Sequence, residues 1–120
     1  MADVLIIDDA PLMRLVLARI LERAGHTVRE ADDGRSGIAE FRRQRPALVI
    51  TDMMMLEMDG IETIQAMRRD DPEIPIIAIS GGDGVNLKPA AATATLEKPF
   101  ALDEMLSLVE RLLARSHAPT

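Results

Sequence analysis

Hydrophobic positions follow two alternating rhythms along this chain. Val4-Leu-Ile-Ile7, Ala47-Leu-Val-Ile-Thr51 and Pro75-Ile-Ile-Ala-Ile-Ser80 are short runs free of formal charge. A half-exposed strand would alternate apolar with polar residues, so such runs predict strands covered on both faces. Longer stretches with helical spacing lie between them. From Leu12 to Ala24, apolar residues recur at 13, 17, 20, 21 and 24, while Arg14, Arg19, Glu22 and Arg23 lie elsewhere. Pro11 suits the first turn of that helix, and Gly25 stops it. A second helix follows the Asp32-Asp33-Gly34 turn. It carries Ile38, Ala39 and Phe41 inward and runs to about Arg45, where Pro46 closes it. Gly60 opens a third helix, with Ile61, Ile64 and Met67 on one face and Asp70-Asp71-Pro72 at its end. Pro99 starts a last helix, with Leu102, Met105, Leu106, Val109, Leu112 and Leu113 in register, and a tail from Ser116 expected to fray. Thr27–Ala31 and Ala92–Leu96 read as two weaker strands, the first of mixed polarity and nearer a sheet edge.

Strand and helix therefore alternate, which predicts an α/β fold with a doubly wound parallel sheet, right-handed crossovers and helices on both faces. No internal repeat or linker interrupts the pattern, so residues 1–120 read as a single domain. One stretch breaks the rhythm. Between Gly81 and Ala92 the chain has three glycines, Pro89 and few apolar anchors, leaving room for one or two helical turns at most.

Composition narrows the function. With 120 residues, 48% hydrophobic and 28% charged, the chain is sized for one globular core. Its net charge of −6 argues against direct nucleic-acid binding, which needs a basic face. The absence of cysteine excludes disulfides, thiol nucleophiles and thiolate metal sites. No signal-peptide pattern opens the chain, and no apolar run approaches the roughly 20 residues that span a bilayer. These features lead one to expect a soluble, cytoplasmic protein with no membrane contact.

Chemistry enters where the strands end. Parallel strands finish on one edge of the sheet, and open α/β sheets bind ligands there. Asp8-Asp9, Asp52, Ser80 and the Glu97-Lys98-Pro99 turn should meet at that edge. Like charges raise each other's pKa, so clustered carboxylates are costly until a divalent cation joins them. Mg²⁺ takes oxygen ligands and keeps several waters, so one or two carboxylates and a backbone carbonyl suffice. Asp52 is then a candidate nucleophile for a phosphoryl group, forming an acyl phosphate, while Lys98 and the Ser80 hydroxyl hold the phosphoryl oxygens.

The paired acids Asp8-Asp9, the strand-end Asp52, the Met58-Asp59-Gly60 turn, Ser80 after Ile-Ala-Ile and Lys98-Pro99-Phe100 occur in an order that resembles a response-regulator receiver domain over nearly the whole chain. The resemblance implies a CheY-like, flavodoxin-like sheet of five strands in the order 2-1-3-4-5. It implies a phosphoprotein of two-component signalling. In that family pattern Asp52 would be the phosphoacceptor, charged by a sensor histidine kinase or a phosphotransfer protein. On this resemblance Mg²⁺ would be held by Asp9, Asp52 and the Met54 backbone carbonyl, with Asp8 acting through a water. By the same resemblance Ser80 and Lys98 would contact the phosphoryl group, and a cis Lys98–Pro99 bond is expected. The chain carries no effector domain in this reading, so a stand-alone receiver would act by contact with an unidentified downstream protein or by onward phosphotransfer.

Three departures from the family pattern stand out. Leu56 replaces a usual proline. Thr95 replaces the usual aromatic three residues before the lysine, so the ring that packs inward on activation is missing. The span from Ser80 to Lys98 is shorter than usual by about one helical turn, roughly four residues, so the family's fourth helix is truncated or absent. Output through another surface, or a homodimer covering the exposed sheet, would accommodate that loss.

Two other functions compete. A degenerate receiver would bind partners without phosphorylation, but it would not need Asp9, Asp52, Ser80 and Lys98 together. An aspartyl-phosphate hydrolase places its nucleophile in an Asp-x-Asp pattern after the first strand, whereas Ala10-Pro11 follows Asp8-Asp9. Gly81-Gly-Asp-Gly84 lacks the Gly-Lys-Ser/Thr ending of a nucleotide-binding loop. His26 and His117 lack ligand spacing and are assigned to the surface, Asp32, Asp33, Asp70, Asp71 and Asp83 to turns, and Arg42, Arg43 and Arg45 to a solvated helix end.

Overall fold

The computed structural model describes residues 2–53, 60–81 and 91–116. Among the described residues, five strands and four helices follow in the order β1 (Asp3–Ile7), α1 (Pro11–Arg23), β2 (Thr27–Ala31), α2 (Gly34–Arg43), β3 (Leu48–Asp52), α3 (Gly60–Asp70), β4 (Ile76–Ser80), β5 (Ala94–Glu97) and α4 (Leu102–Ser116). The strands form one parallel sheet in the order β2-β1-β3-β4-β5, the doubly wound arrangement expected. The family's helix between the fourth and fifth strands would fall on residues 82–90, which lie outside the described residues.

Each central strand feeds two cores because successive side chains point to opposite faces. Val4, Ile6, Leu48, Ile50, Ile77 and Ile79 pack with Leu17 and Leu21 of α1 and Met105, Val109, Leu112 and Leu113 of α4. Leu5, Ile7, Val49, Ile76 and Ala78 pack on the other face with Ile38 and Phe41 of α2 and Ile64 and Met67 of α3. This two-sided burial explains why the strands of the sheet centre read as continuous apolar runs. At α2 only part of the expected face turns inward: Ile38 and Phe41 are buried, whereas Ala39 is exposed. The buried set 34, 37, 38 and 41 follows the three-to-four residue spacing of one helix face, and position 39 falls off it.

Two close approaches fix how elements leave the sheet. Gly37 stacks α2 on Ile7, where a Cβ would collide with the isoleucine side chain. At Gly60 a Cβ would lie 2.6 Å from both the Asp52 carbonyl oxygen and the Met53 Cα, so only glycine lets α3 begin so near the end of β3. Gly25, at φ +97°, ends α1 in the left-handed region and turns the chain toward β2.

His26, which the sequence pattern assigned to the surface, is 8% exposed. Its Nδ1 accepts the Ala2 N–H at 3.2 Å, which leaves the ring proton on Nε2, 2.6 Å from Glu110 Oε1. The three-residue connection around Gly25 has no periodicity to reveal which way that side chain turns. His117 lies outside the described residues. The arginines around the C-terminal end of α2 are engaged: Arg42 pairs with Asp70 at 2.7 Å and Arg45 with Asp71 at 3.2 Å, joining the C-terminal ends of α2 and α3. Asp33 caps α2, its side chain accepting the Ser36 N–H at 2.7 Å.

Candidate functional site

The register of the sheet assembles the site. β1 runs beside β3 with Ile7 opposite Thr51, so Asp8 and Asp52 follow as neighbours beyond the paired residues. β3 runs beside β4 with Asp52 opposite Ile79, and β4 beside β5 with Ser80 opposite Glu97. Asp8, Asp52, Ser80 and Lys98 therefore reach the C-terminal edge from four adjacent strands. The Lys98 N–H closes this edge by donating to the Ser80 carbonyl at 2.9 Å, and the Lys98–Pro99 bond is cis.

Carboxylate oxygens of Asp8, Asp9 and Asp52 lie within 4.8 Å of one another. Asp8 and Asp52 are 1% and 4% exposed, and Asp9 is half-buried. Lys98 Nζ sits 3.5 Å from Asp52 Oδ2. Ser80 is buried at the end of β4. Asp8 shows the strain of this grouping most clearly. Its Oδ1 accepts the Ala10 N–H at 2.9 Å, but its buried Oδ2 has no hydrogen-bond partner among the described residues. Burial pushes the Asp8 carboxyl up to about 6. Repulsion from Asp52 and Asp9 adds to the rise, and the Ala10 N–H and Lys98 oppose it. Asp8 is not the N-cap of α1: that position is Ala10, which has no capping side chain.

The donor set suits a hard cation. It is all oxygen, anionic and partly desolvated, and one buried carboxylate oxygen is unsatisfied. Met54, the expected source of a backbone carbonyl ligand, lies outside the described residues, as do Leu56, Met58 and Asp59 of the following loop. Thr95, standing where an aromatic was expected, is half-buried in β5 opposite Ala78. Gly81 is exposed beside Ser80, while 82–84 of the glycine-rich loop lie outside the described residues.

Sequence patterns did not single out Arg14 near this edge. Its Nη1 donates to the Asp8 carbonyl at 2.7 Å, and its Nε lies 3.4 Å from Glu30 Oε1. An arginine on the polar side of a helix has no sequence signature that separates a solvated group from one folded back over the preceding turn.

Fold and pocket together define a CheY-like α/β domain with an acidic cluster at the C-terminal sheet edge. The model of the response regulator receiver domain matches residues 4–110, and the chain belongs to that family. It is 32% identical over 121 residues to the probable transcriptional regulatory protein TcrX of Mycobacterium tuberculosis, covering 98% of this chain and 52% of TcrX. The solved receiver domain of NtrX from Brucella abortus matches with a TM-score of 0.86 at 32% identity, over 92% of this chain and 98% of that one. The response regulator TrrA of Thermotoga maritima, solved in complex with Mg²⁺ and BeF, matches with a TM-score of 0.86 at 27% identity, over 93% of this chain and 99% of that one. The chain spans about half or less of the length of the curated relatives it matches. No helix among the described residues is long and apolar enough to cross a membrane.

Proposed function

We propose that residues 1–120 form a single receiver domain that accepts a phosphoryl group on Asp52 from a histidine kinase or a phosphotransfer protein in the cytoplasm. The phosphorylated domain then contacts a downstream protein or passes the group on. The observation that carries this reading is the convergence of Asp8, Asp9 and Asp52 within 4.8 Å, with Lys98 Nζ 3.5 Å from Asp52. TrrA, a relative with Mg²⁺ and BeF bound, supports the same ligand class for this pocket.

An Asp52 carboxylate oxygen attacks phosphorus, and an acyl–phosphate bond forms. The phosphorus–nitrogen bond of a donor phosphohistidine breaks, and its electron pair leaves with the imidazole. Lys98 offers its ammonium to the phosphoryl oxygens, and the Ser80 hydroxyl donates a further hydrogen bond. Asp9, Asp52, the Met54 carbonyl and, through a water, Asp8 would hold Mg²⁺, which when bound neutralises the carboxylates and lets an anionic donor approach. Near-complete burial of Asp52 limits access of water to the product.

The test is intact mass after incubation with Mg²⁺ and acetyl phosphate. The wild type should gain one acid-labile phosphoryl group, and Asp52→Asn should gain none. Steady release of phosphate from phosphomonoesters would instead indicate a hydrolase. No mass gain with any donor, in protein that stays folded, would sink the proposal.

A further inference from the structure

We propose that Arg14 is a positioning residue for the acidic pocket: it holds the turn after β1 so that Asp8 and Asp9 stay aimed at Asp52 despite their mutual repulsion. The inference rests on the proposed Mg²⁺-dependent phosphoryl acceptance and names a residue that sets its metal dependence.

Three bonds define the turn. The Asp8 N–H donates to the Ala31 carbonyl at 3.1 Å, tying the strand end to β2. The Asp8 side chain accepts the Ala10 N–H at 2.9 Å. The Asp8 carbonyl accepts Arg14 Nη1 at 2.7 Å, a charge-assisted bond shorter than the other two. Arg14 begins one turn into α1, where its own N–H binds the Ala10 carbonyl at 3.1 Å, and its side chain folds back over the helix start. That side chain is 19% exposed, and Glu30 of β2 flanks its Nε at 3.4 Å. The guanidinium thus locks the Asp8 peptide against the start of α1, while the Asp8 N–H ties it to β2.

The lock matters because the turn carries a load. Asp8 has a buried, unpartnered oxygen, and Asp9 and Asp52 lie within 4.8 Å. Without cation, repulsion favours any backbone adjustment that spreads these groups. A cation then has to gather them again, and that work weakens its binding. Restraining the Asp8 carbonyl removes the easiest adjustment, so the site is set before the metal arrives.

A bare charge effect predicts the opposite sign. Arg14 is a cation beside a cation site, so through space alone its removal should tighten Mg²⁺ binding. The sign therefore separates positioning from electrostatics. Mg²⁺ affinity is to be measured by titration calorimetry on metal-free wild type, Arg14→Met, Arg14→Lys and Glu30→Gln, each shown folded by circular dichroism. Arg14→Met should bind roughly tenfold more weakly, the low end for groups that hold a metal's ligands. Its phosphorylation by acetyl phosphate should fall in proportion at limiting Mg²⁺ and recover at saturation. Arg14→Lys should regain part of the loss, and Glu30→Gln should stay within about twofold of wild type, as expected for a flanking exposed carboxylate. Mg²⁺ binding by Arg14→Met as tight as wild type or tighter would overturn the inference, as would a rate defect that persists at saturating Mg²⁺. Should Arg14→Met not fold, equal affinities for Arg14→Lys and Glu30→Gln would overturn it. A wild type that neither binds Mg²⁺ nor gains a phosphoryl group would refute the proposed function instead.

Discussion

Asp8 is where the metal-free protein gives up stability. An ordinary aspartate titrates near 3.8, and this one is pushed up to about 6, mainly by burial. Below 3.8 the group is neutral in both folded and unfolded chains. As pH rises from there, the unfolded chain ionises first and the native state loses ground, and the loss is complete once pH passes about 6. The shift corresponds to about 3 kcal/mol at neutral pH as an upper bound. Asp8→Asn keeps the acceptor for the Ala10 N–H and removes the charge. In chelator at pH 7 it should therefore melt higher than wild type, with the gap shrinking as pH falls and absent below about 4. Melting curves across that range check this, and a pH-independent gap would contradict it. The acid pair was legible from sequence as a doublet at a strand end. Its unsatisfied oxygen was not, because partner geometry has no sequence pattern.

At the scale of elements, Arg68 shows what periodicity misses. The sequence places it near the C-terminal end of α3, where a cation suits the helix dipole. In the fold its Nη1 donates to the carbonyls of Ile74 at 2.6 Å and Pro72 at 3.0 Å, and its Nη2 and Nε donate to Ala91 at 2.8 and 3.1 Å. One side chain thus gathers the end of α3, the approach to β4 and the approach to β5. Thr93 completes the junction, accepting the Ile76 N–H on its hydroxyl at 3.0 Å and donating its own N–H to the Ile76 carbonyl at 2.8 Å. Arg68→Met should cost about 1–2 kcal/mol, since it removes several part-buried hydrogen bonds whose carbonyls water can only partly satisfy. Hydrogen exchange should speed up at Ile76 and Thr93 while β1 stays protected, and unchanged exchange at both amides would contradict this role. The helices and central strands were readable because two-sided burial leaves unbroken apolar runs. Boundaries were less so: β5 begins at Ala94 rather than Ala92, and α4 at Leu102 rather than Pro99, because hydrogen-bond register decides where each element starts.

On the scale of the whole molecule, the topology does the assembling. Residues 8, 52, 80 and 98 are far apart in the chain, and parallel pairing delivers them to one edge. That convergence was legible once alternation implied a parallel sheet, because strand ends then share an edge by construction. The burial of His26 against Glu110 was not, because it depends on how the last helix docks over the first strands. The same two-layer packing has a practical consequence. The chain has only two aromatic rings, neither of them tryptophan or tyrosine, so it offers no indole or phenol emission to follow. Those rings fall on opposite sides of the sheet: Phe41 of α2 is sealed in the core it shares with α3, and Phe100 lines a cavity of about 630 Å³ with Lys98. Labelled with fluorophenylalanine, the folded protein should give two fluorine resonances, one for each layer. Beryllofluoride with magnesium should move the Phe100 line and leave the Phe41 line nearly in place, making one ring a gauge of site occupancy and the other its internal standard.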